Sequence, residues 1–505
     1  MSENLIKHQI IIVGGGITGL TLALMLQHLG VDYLLLEAYD SVTPNVGASI
    51  GLWANGLRVL EQLGLYDEIL AKGQPVEASI FRDGRSGKRF MTRRSKDLMI
   101  ERHGYPNIFM ERHELLCILY GHLIDKDRVH VNQKVKRVET REDSALLYTQ
   151  DGSVYECEMV VGADGVRSTV RQEMWRNADE KEPGVIPGTD RQNIACEHAC
   201  IFGTADPTPG ISAGEVTGVC SRGTTAGCMG GPNGEVFLFW FWTLPQSKRS
   251  CPIDNIPRFG KEEQQLELAL AAETVVADTG LRFKEVVERL QYTGVTALPH
   301  FVLRRWHYGR IVILGDAAHK FNPLVGQGGN SCIESCVSLV NALQRTVLSP
   351  TPSTANTPWV ASSLEEAFVA VEEERVDRLT FMVEQCQNAM RGTAWETWRT
   401  ELLHRYIAPL IPTTKFADFY SEMVAGGLSL HRGFTKPTAP HHWPYEDEVT
   451  AKKAESRGVT IMGLAGAVPV AALAAFMIAR MLPSQMWLTG LVISSPFHRL
   501  GAGRH

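Results

Sequence analysis

An unbroken apolar run, Ile10-Ile11-Ile12-Val13, ends abruptly in Gly14-Gly15-Gly16. Consecutive β-branched residues of this kind predict a strand buried on both faces. Beyond the glycines, Leu20, Leu22, Ala23 and Leu26 predict a helix. A second apolar run, Tyr33–Leu36, then stops at Glu37. Strand, turn, helix and strand in this order make a βαβ unit. The alternation continues to about residue 180. A helix carries Leu57, Leu60 and Leu63, and another opens in Phe109–Leu116. Val129–Thr149 predicts a β-meander turning at Glu142-Asp143, and Met159-Val160-Val161 predicts a buried strand. This is an α/β pattern.

Residues 190–300 change character. Gly- and Pro-bearing turns separate strand-like runs such as Ala199–Gly203 and Glu235–Trp242. The second run puts aromatic rings on both faces. It predicts a sheet with one side lining an apolar cavity, or one packed on both sides. Lys261–Leu290 reads as one charged amphipathic helix. The α/β pattern returns at Ile311–Leu314, followed by a helix over Ser331–Thr346. A Pro/Thr/Ser-rich loop at 350–360, helices from about Leu364 to Met423, and a Pro- and His-rich linker at Lys436–Pro444 follow.

The end of the chain differs again. Val459–Ala479 is 21 residues without a charge, flanked by Lys452, Lys453 and Arg457 on one side and Arg480 on the other. As a helix it would reach about 31 Å, the thickness of a bilayer core. Pro469 in its middle is tolerated in membrane helices. A buried helix of a soluble fold is the alternative. Met486–Phe497 is too short to span alone and would lie on the interface or close a hairpin. Met1–His8 is polar and carries no signal-peptide pattern.

Bulk composition narrows the field. The chain has 505 residues, 44% apolar and 21% charged, which is globular and long enough for two or three domains. A net charge of −6 and the lack of a basic tract argue against nucleic acid as partner. Ten cysteines without C-x-x-C pairs read as reduced thiols facing a cytosol-like compartment, with no zinc site.

Four stretches carry candidate chemistry. Gly14, Gly16 and Gly19 form G-x-G-x-x-G after a strand and before a helix, with Glu37 about 20 residues on. That context predicts a dinucleotide site: pyrophosphate on the helix N-terminus, ribose on the carboxylate. Arg112, near a helix start, is a candidate for a phosphate or a cofactor carbonyl. Gly162-Ala163-Asp164-Gly165 brings Asp164 to the end of a strand, close to the glycine turn if the sheet is doubly wound. Gly315-Asp316 repeats that geometry, and Gly326-Gln327-Gly328-Gly329-Asn330 offers free backbone N–H groups at a second helix N-terminus.

Together these motifs resemble the single-component flavin monooxygenases of the aromatic-hydroxylase class, over about residues 8–350. More narrowly, Leu36–Asp40, Val46–Leu52 and Arg305–Arg310 look like the FAD-dependent epoxidases of fungal indole-diterpene and meroterpenoid pathways. The resemblance implies a mixed α/β and α+β fold. A Rossmann-like FAD-binding domain (1–185 and 301–350) would hold an inserted, mostly antiparallel substrate sheet (186–300). A helical region (351–450) and a membrane-anchoring segment (451–505) would follow.

The resemblance also implies residue roles. Gly14, Gly16, Gly19 and Glu37 would hold the ADP half of FAD. Gly51 and Arg112 would meet its ribityl and phosphate region, Asp316 a ribityl hydroxyl or the pyrophosphate, and Gly329 the flavin carbonyls. Asp164 would serve both flavin and nicotinamide approach. NADPH would visit transiently, since no second glycine fingerprint exists. A C4a-hydroperoxyflavin would then epoxidise an alkene of a prenylated substrate. In this subgroup a tyrosine or arginine is expected near 195–225. No tyrosine stands there, which leaves His198 and Arg222 as candidates for assisting proton delivery. A membrane-bound enzyme with its flavin domain facing the cytosol, at the endoplasmic reticulum, fits a bilayer-soluble substrate. The alternatives are a phenol-type aromatic hydroxylase and a non-catalytic flavin-binding or tethering protein.

Overall fold

The computed structural model describes residues 7–45, 49–192, 194–348 and 359–450. The described residues belong to one compact unit. The run Val459–Ala479, the stretch Met486–Phe497 and residues 46–48 of the Val46–Leu52 motif lie outside the described residues. Among the described residues no helix is long and apolar enough to cross a membrane.

The first sheet is built from the predicted apolar runs. Lys7–Val13 lies between Tyr33–Leu36 and Val154–Gly162, all parallel, and Ile311–Ile313 extends the sheet beyond Val154–Gly162. The register aligns Val13 with Leu36 and Gly162, and Gly162 with Ile313. Four strands therefore end at one level. Their loops, at 14–16, 37–39, 163–168 and 314–318, meet beyond the carboxyl edge, where open α/β sheets bind ligands. The predicted meander is divided. Val129–His130 pairs parallel with Tyr33–Leu36, and only Val135–Thr140 with Ala145–Thr149 forms a hairpin.

The second sheet contains Ile194–Ala205, Glu215–Ser221, Thr224–Gly230, Val236–Thr243 and Leu290–Val302. It also takes Ala78–Asp83 and Arg89–Arg93, because Ala78–Asp83 pairs parallel with Glu215–Ser221. The sheet thus reaches back across the 185 boundary into the first segment of the chain. The expected helix over Lys261–Leu290 is broken as well. Helix Lys261–Ala271 and the short helix Phe283–Val287 flank a turn, where Gly280 takes φ 86° and Val276 N–H donates to Leu281 O.

Alternation sorts Val236–Thr243 between two environments. Val236, Leu238, Trp240 and Trp242 join the main core with Phe283 and Phe259. Phe241 belongs to a separate buried cluster with Cys200, Leu298 and Met390, and Phe202, Phe239 and Leu324 pack against it. The helix Ala361–Thr393, about 50 Å long, supplies Met390 to this cluster. Helix Gln327–Thr346 lies in the interior with sixteen buried residues, which leaves no polar face toward water. All ten cysteines are free.

Candidate functional site

The glycine turn is set by close backbone approach. Gly14 takes φ 108°, and a Cβ there would stand 2.5 Å from Ala163 O. A Cβ on Gly19 would stand 1.9 Å from Gly14 O, so the helix lies directly against the turn. Neither neighbour can yield, because both are backbone. We expect Gly19→Ala to destabilise the chain by about 1–3 kcal/mol or more, read as a lowered denaturant midpoint, with loss of cofactor retention.

Gly16 is different. It is the N-cap of helix Ile17–Leu29, without a side-chain cap and with no acid in the first turn. A Cβ on it would meet nothing nearer than Arg112 Nη2, at 3.8 Å. An open helix N-terminus therefore faces a guanidinium. Arg112 begins helix Arg112–Gly121 and makes no hydrogen bond or ion pair among the described residues. Burial pulls its pKa below the ordinary value, and the charges of Asp316 and Glu37 oppose that pull. One cation thus lies within electrostatic reach of the glycine turn, the second-strand acid and the Gly-Asp loop. A cradle of free N–H groups with an unpartnered guanidinium fits a pyrophosphate.

Glu37 is held by its own fold. Oε2 accepts from Gly15 N–H at 2.6 Å and Oε1 from Tyr39 N–H at 2.9 Å. Both oxygens keep lone pairs for ribose hydroxyls. Asp316 pairs with Lys320 on the same loop. Gly315 presses that loop onto the first helix, where a Cβ would stand 2.2 Å from Thr18 Oγ1.

The other end of the site is fastened by Asn330. Its Nδ2 donates to Gly51 O at 3.0 Å and Gly326 O at 2.7 Å, and its Oδ1 accepts from Trp53 N–H at 3.0 Å. Gly51 and Gly329 are thereby joined across one clasp, and a Cβ on Gly329 would meet Ile50 Cδ1 at 2.6 Å. The helix that follows Gly326 has no side-chain cap and no acid in its first turn, and a Cβ on Gly328 meets nothing within 4 Å. Its N–H groups are open to a carbonyl oxygen.

Beneath this clasp lies a charge cluster that sequence reading missed. Glu334, fully buried, accepts from Arg375 Nη1 at 2.5 Å, Arg378 Nη2 at 2.8 Å and Asn55 Nδ2 at 2.6 Å. Burial would raise its pKa, but Arg378 and Arg375 override this and hold it at about 2. A lone acid in a stretch of small and apolar residues, Ser331–Leu343, was the available signal.

Three further predicted residues are each engaged by partners within the fold. Asp164 lies beside the glycine turn, where a Cβ on Gly14 would stand 3.0 Å from its Cα. Its oxygens, however, accept from Ser168 Oγ at 2.5 Å and Val170 N–H at 3.0 Å. It thereby fastens the start of helix Thr169–Lys181. Burial raises its pKa, and those hydrogen bonds hold it back. His198 shares a sheet face with Cys200 and Phe202 at the edge of the apolar cluster, and its Nε2 meets Glu396 Oε1 at 2.8 Å. Arg222 lies outside the cluster. It sits in the hairpin turn between Glu215–Ser221 and Thr224–Gly230, so it projects off the sheet end, 61% exposed and paired with Glu401.

The family described as FAD binding domain matches residues 7–187 and 249–349. The FAD-dependent monooxygenase olcE of Penicillium canescens is 34% identical over 84% of this chain and 89% of its own. The FAD-dependent monooxygenase ausM of Penicillium brasilianum is 37% identical over 67% of this chain and 71% of its own. Among solved structures, Klebsiella pneumoniae HpxO, complexed with FAD and uric acid, superposes with a TM-score of 0.66 at 21% identity, covering 83% of this chain and 97% of that one. The p-nitrophenol 4-monooxygenase PnpA of Pseudomonas putida gives a TM-score of 0.65 at 18% identity, covering 83% and 98%.

Proposed function

Because the chain belongs to the FAD-dependent monooxygenases built on the FAD-binding domain, we propose that it epoxidises an alkene of a prenylated terpenoid intermediate in secondary metabolism. When bound, FAD supplies the redox chemistry, taking hydride from NADPH and delivering one oxygen atom of O₂. The chain's residues do the rest. The helix N-terminus at Gly16 and the Arg112 guanidinium would hold the pyrophosphate, Glu37 the ribose, and Asp316 a ribityl hydroxyl. The N–H groups at Gly328 and Gly329 would be available to the flavin carbonyls.

The observation that supports the substrate class is the second apolar cluster. Cys200, Phe202, Phe239, Phe241, Leu298, Leu324 and Met390 include no ionised group, and Leu324 comes from the loop before Gly326. Apolar side chains of this kind would exclude water and hold a hydrocarbon by area alone, at about 25 cal/mol per Å² buried. An alkene needs no side-chain base, since its own π electrons attack. His198 favours a second reading. As the imidazole at the cluster's edge, it would deprotonate a phenol, making the enzyme an aromatic hydroxylase. Membrane association through 451–505, with the flavin domain facing the cytosol, belongs to the first reading. A prenyl chain partitions into bilayers at about 0.8 kcal/mol per CH₂.

Incubating the membrane-bound protein with NADPH, ¹⁸O₂ and a panel of prenylated and phenolic scaffolds tests this. One labelled oxygen in a prenyl epoxide is expected. Label on a phenol ring supports the second reading, and label in no scaffold refutes oxygenation. Independently, Asp316→Ala is expected to weaken FAD retention about tenfold or more, since a hydrogen bond to a charged group contributes about 1.5–3 kcal/mol. Flavin absorbance of the purified variant reads this directly.

A further inference from the structure

The segment that follows the long helix is built inside out. From Trp398 to Leu410 the chain makes a short α-helix, Trp398–Leu402, a π-helical turn, Leu403–Ile407, and a 3-10 turn, Ala408–Leu410. Its one acidic residue, Glu401, is turned inward and is only 7% exposed. Trp398, Leu402, Tyr406, Ile407 and Leu410 point outward, 45–77% exposed. Of the fourteen large apolar side chains exposed among the described residues, these five fall within thirteen positions. Apolar side chains scattered over a surface need no explanation, but a contiguous row does.

The surroundings of the row are basic and aromatic. Arg399 lies 5.4 Å from the Trp398 ring and Arg405 5.3 Å from the Tyr406 ring. Arg85 and Arg222, 59% and 61% exposed, hold Glu401 from the outer side. Lys415, 59% exposed, pairs with Asp418, and Arg405 pairs with buried Asp83, which leaves Arg399 as the cation of the rim with no ion pair among the described residues. Trp and Tyr among arginines and lysines suit the depth where lipid headgroups meet acyl chains. Arginine stems would lie along the apolar layer with their charges at the phosphates.

The inner side of the same segment closes the sheet's apolar face. His404 meets the rings of Phe81 and Phe90 at 5.3 and 5.5 Å, and Trp395 donates through Nε1 to His404 Nδ1 at 3.2 Å. Trp395 takes φ 44°, a left-handed conformation that a bulky residue adopts only when its surroundings impose it. Phe81 stands opposite Gly218, Gly218 opposite Gly227, and Gly227 opposite Phe239. Two glycines thus leave a bare floor between the rings under this strap and the apolar cluster at Phe239 and Phe241.

We propose that the outward row Trp398, Leu402, Tyr406, Ile407 and Leu410 rests on a lipid bilayer surface and makes the strap the doorway by which an apolar substrate reaches the cluster behind it. The doorway half rests on the proposed substrate class, whereas the docking half stands without it.

Hydrogen exchange on the full chain tests the docking half. Vesicles of phosphatidylcholine with phosphatidylserine are the probe. At least fivefold slower amide exchange is expected over 398–410 when vesicles are added. Helix Lys261–Ala271, whose Leu266 and Leu270 are equally exposed but lack the basic rim, should not change. The double variant Leu402→Glu/Leu410→Glu should lose this vesicle-dependent slowing and keep its flavin absorbance. No slowing with vesicles overturns the proposal. So does full protection before vesicles are added, which would mean that another part of the chain covers the row. Slowing that follows protein concentration instead would mean a second copy covers it, and also overturns the proposal. Vesicle-dependent slowing without ¹⁸O incorporation in any prenylated scaffold would leave the docking surface standing and remove the substrate reading.

Discussion

Replacing Glu334 by glutamine is expected to destabilise the folded chain by about 3–5 kcal/mol, the usual consequence of removing one partner from a buried ion cluster. Arg375 is fully buried and Arg378 nearly so, and Glu334 is their common carboxylate. Glutamine keeps the shape and one acceptor oxygen, but it loses the second oxygen and the charge and leaves two guanidiniums uncompensated in the interior. Denaturant unfolding with flavin-free protein measures the loss. Removing Arg375 together with Glu334 should recover part of it, because one uncompensated charge disappears. The same group gives a pH signature. Its folded pKa of about 2 lies below the ordinary 4.5. The unfolded chain therefore binds the proton first, and the stability Glu334 contributes is present above pH 4.5 and lost as pH falls from there toward 2. The variant should show a flatter decline over that window.

Replacing Arg112 by methionine should act in opposite directions on two measurements. FAD affinity should fall on the order of a hundredfold, since truncating the charged partner of a phosphate costs about 2–5 kcal/mol. Unfolding of the flavin-free protein should shift the other way or not at all. The guanidinium is largely buried without a hydrogen bond or ion pair among the described residues, and its burial works against its charge. Methionine fills similar space and removes that penalty. Titration of the flavin-free protein with FAD and a thermal melt separate the two effects. An affinity within threefold of the parent would remove Arg112 from the phosphate site. A large loss of apo stability would make it a structural residue instead.

The parts of the site that could be read in advance are those written in short stretches. Strand Lys7–Val13, its glycines and Glu37 are local, and the turn geometry follows from residue type. Their meeting with Asp316 also follows, once parallel strands end at one level. What escaped depends on distant pairing. That Ala78–Asp83 joins a strand more than a hundred residues later is invisible to alternation, which specifies a face and no partner. The burial of Glu334 is decided by Arg375 and Arg378 on another helix. Arg222 looked like an active-site cation because its turn was not recognised as the sheet's outer end. The break in Lys261–Leu290 was signalled by Asp278-Thr279-Gly280 and was overridden by the charged pattern around it.

The parallel pairing of Ala78–Asp83 with Glu215–Ser221 has an engineering consequence. The second sheet is not a cassette that begins and ends with the inserted segment. Grafting residues 186–300 alone onto a related scaffold would cut two edge ribbons away from their neighbours and expose a raw hydrogen-bonding margin, an invitation to aggregate. A chimera designed to exchange specificity between relatives must carry residues 78–93 along with the insert, or inherit a foreign rim.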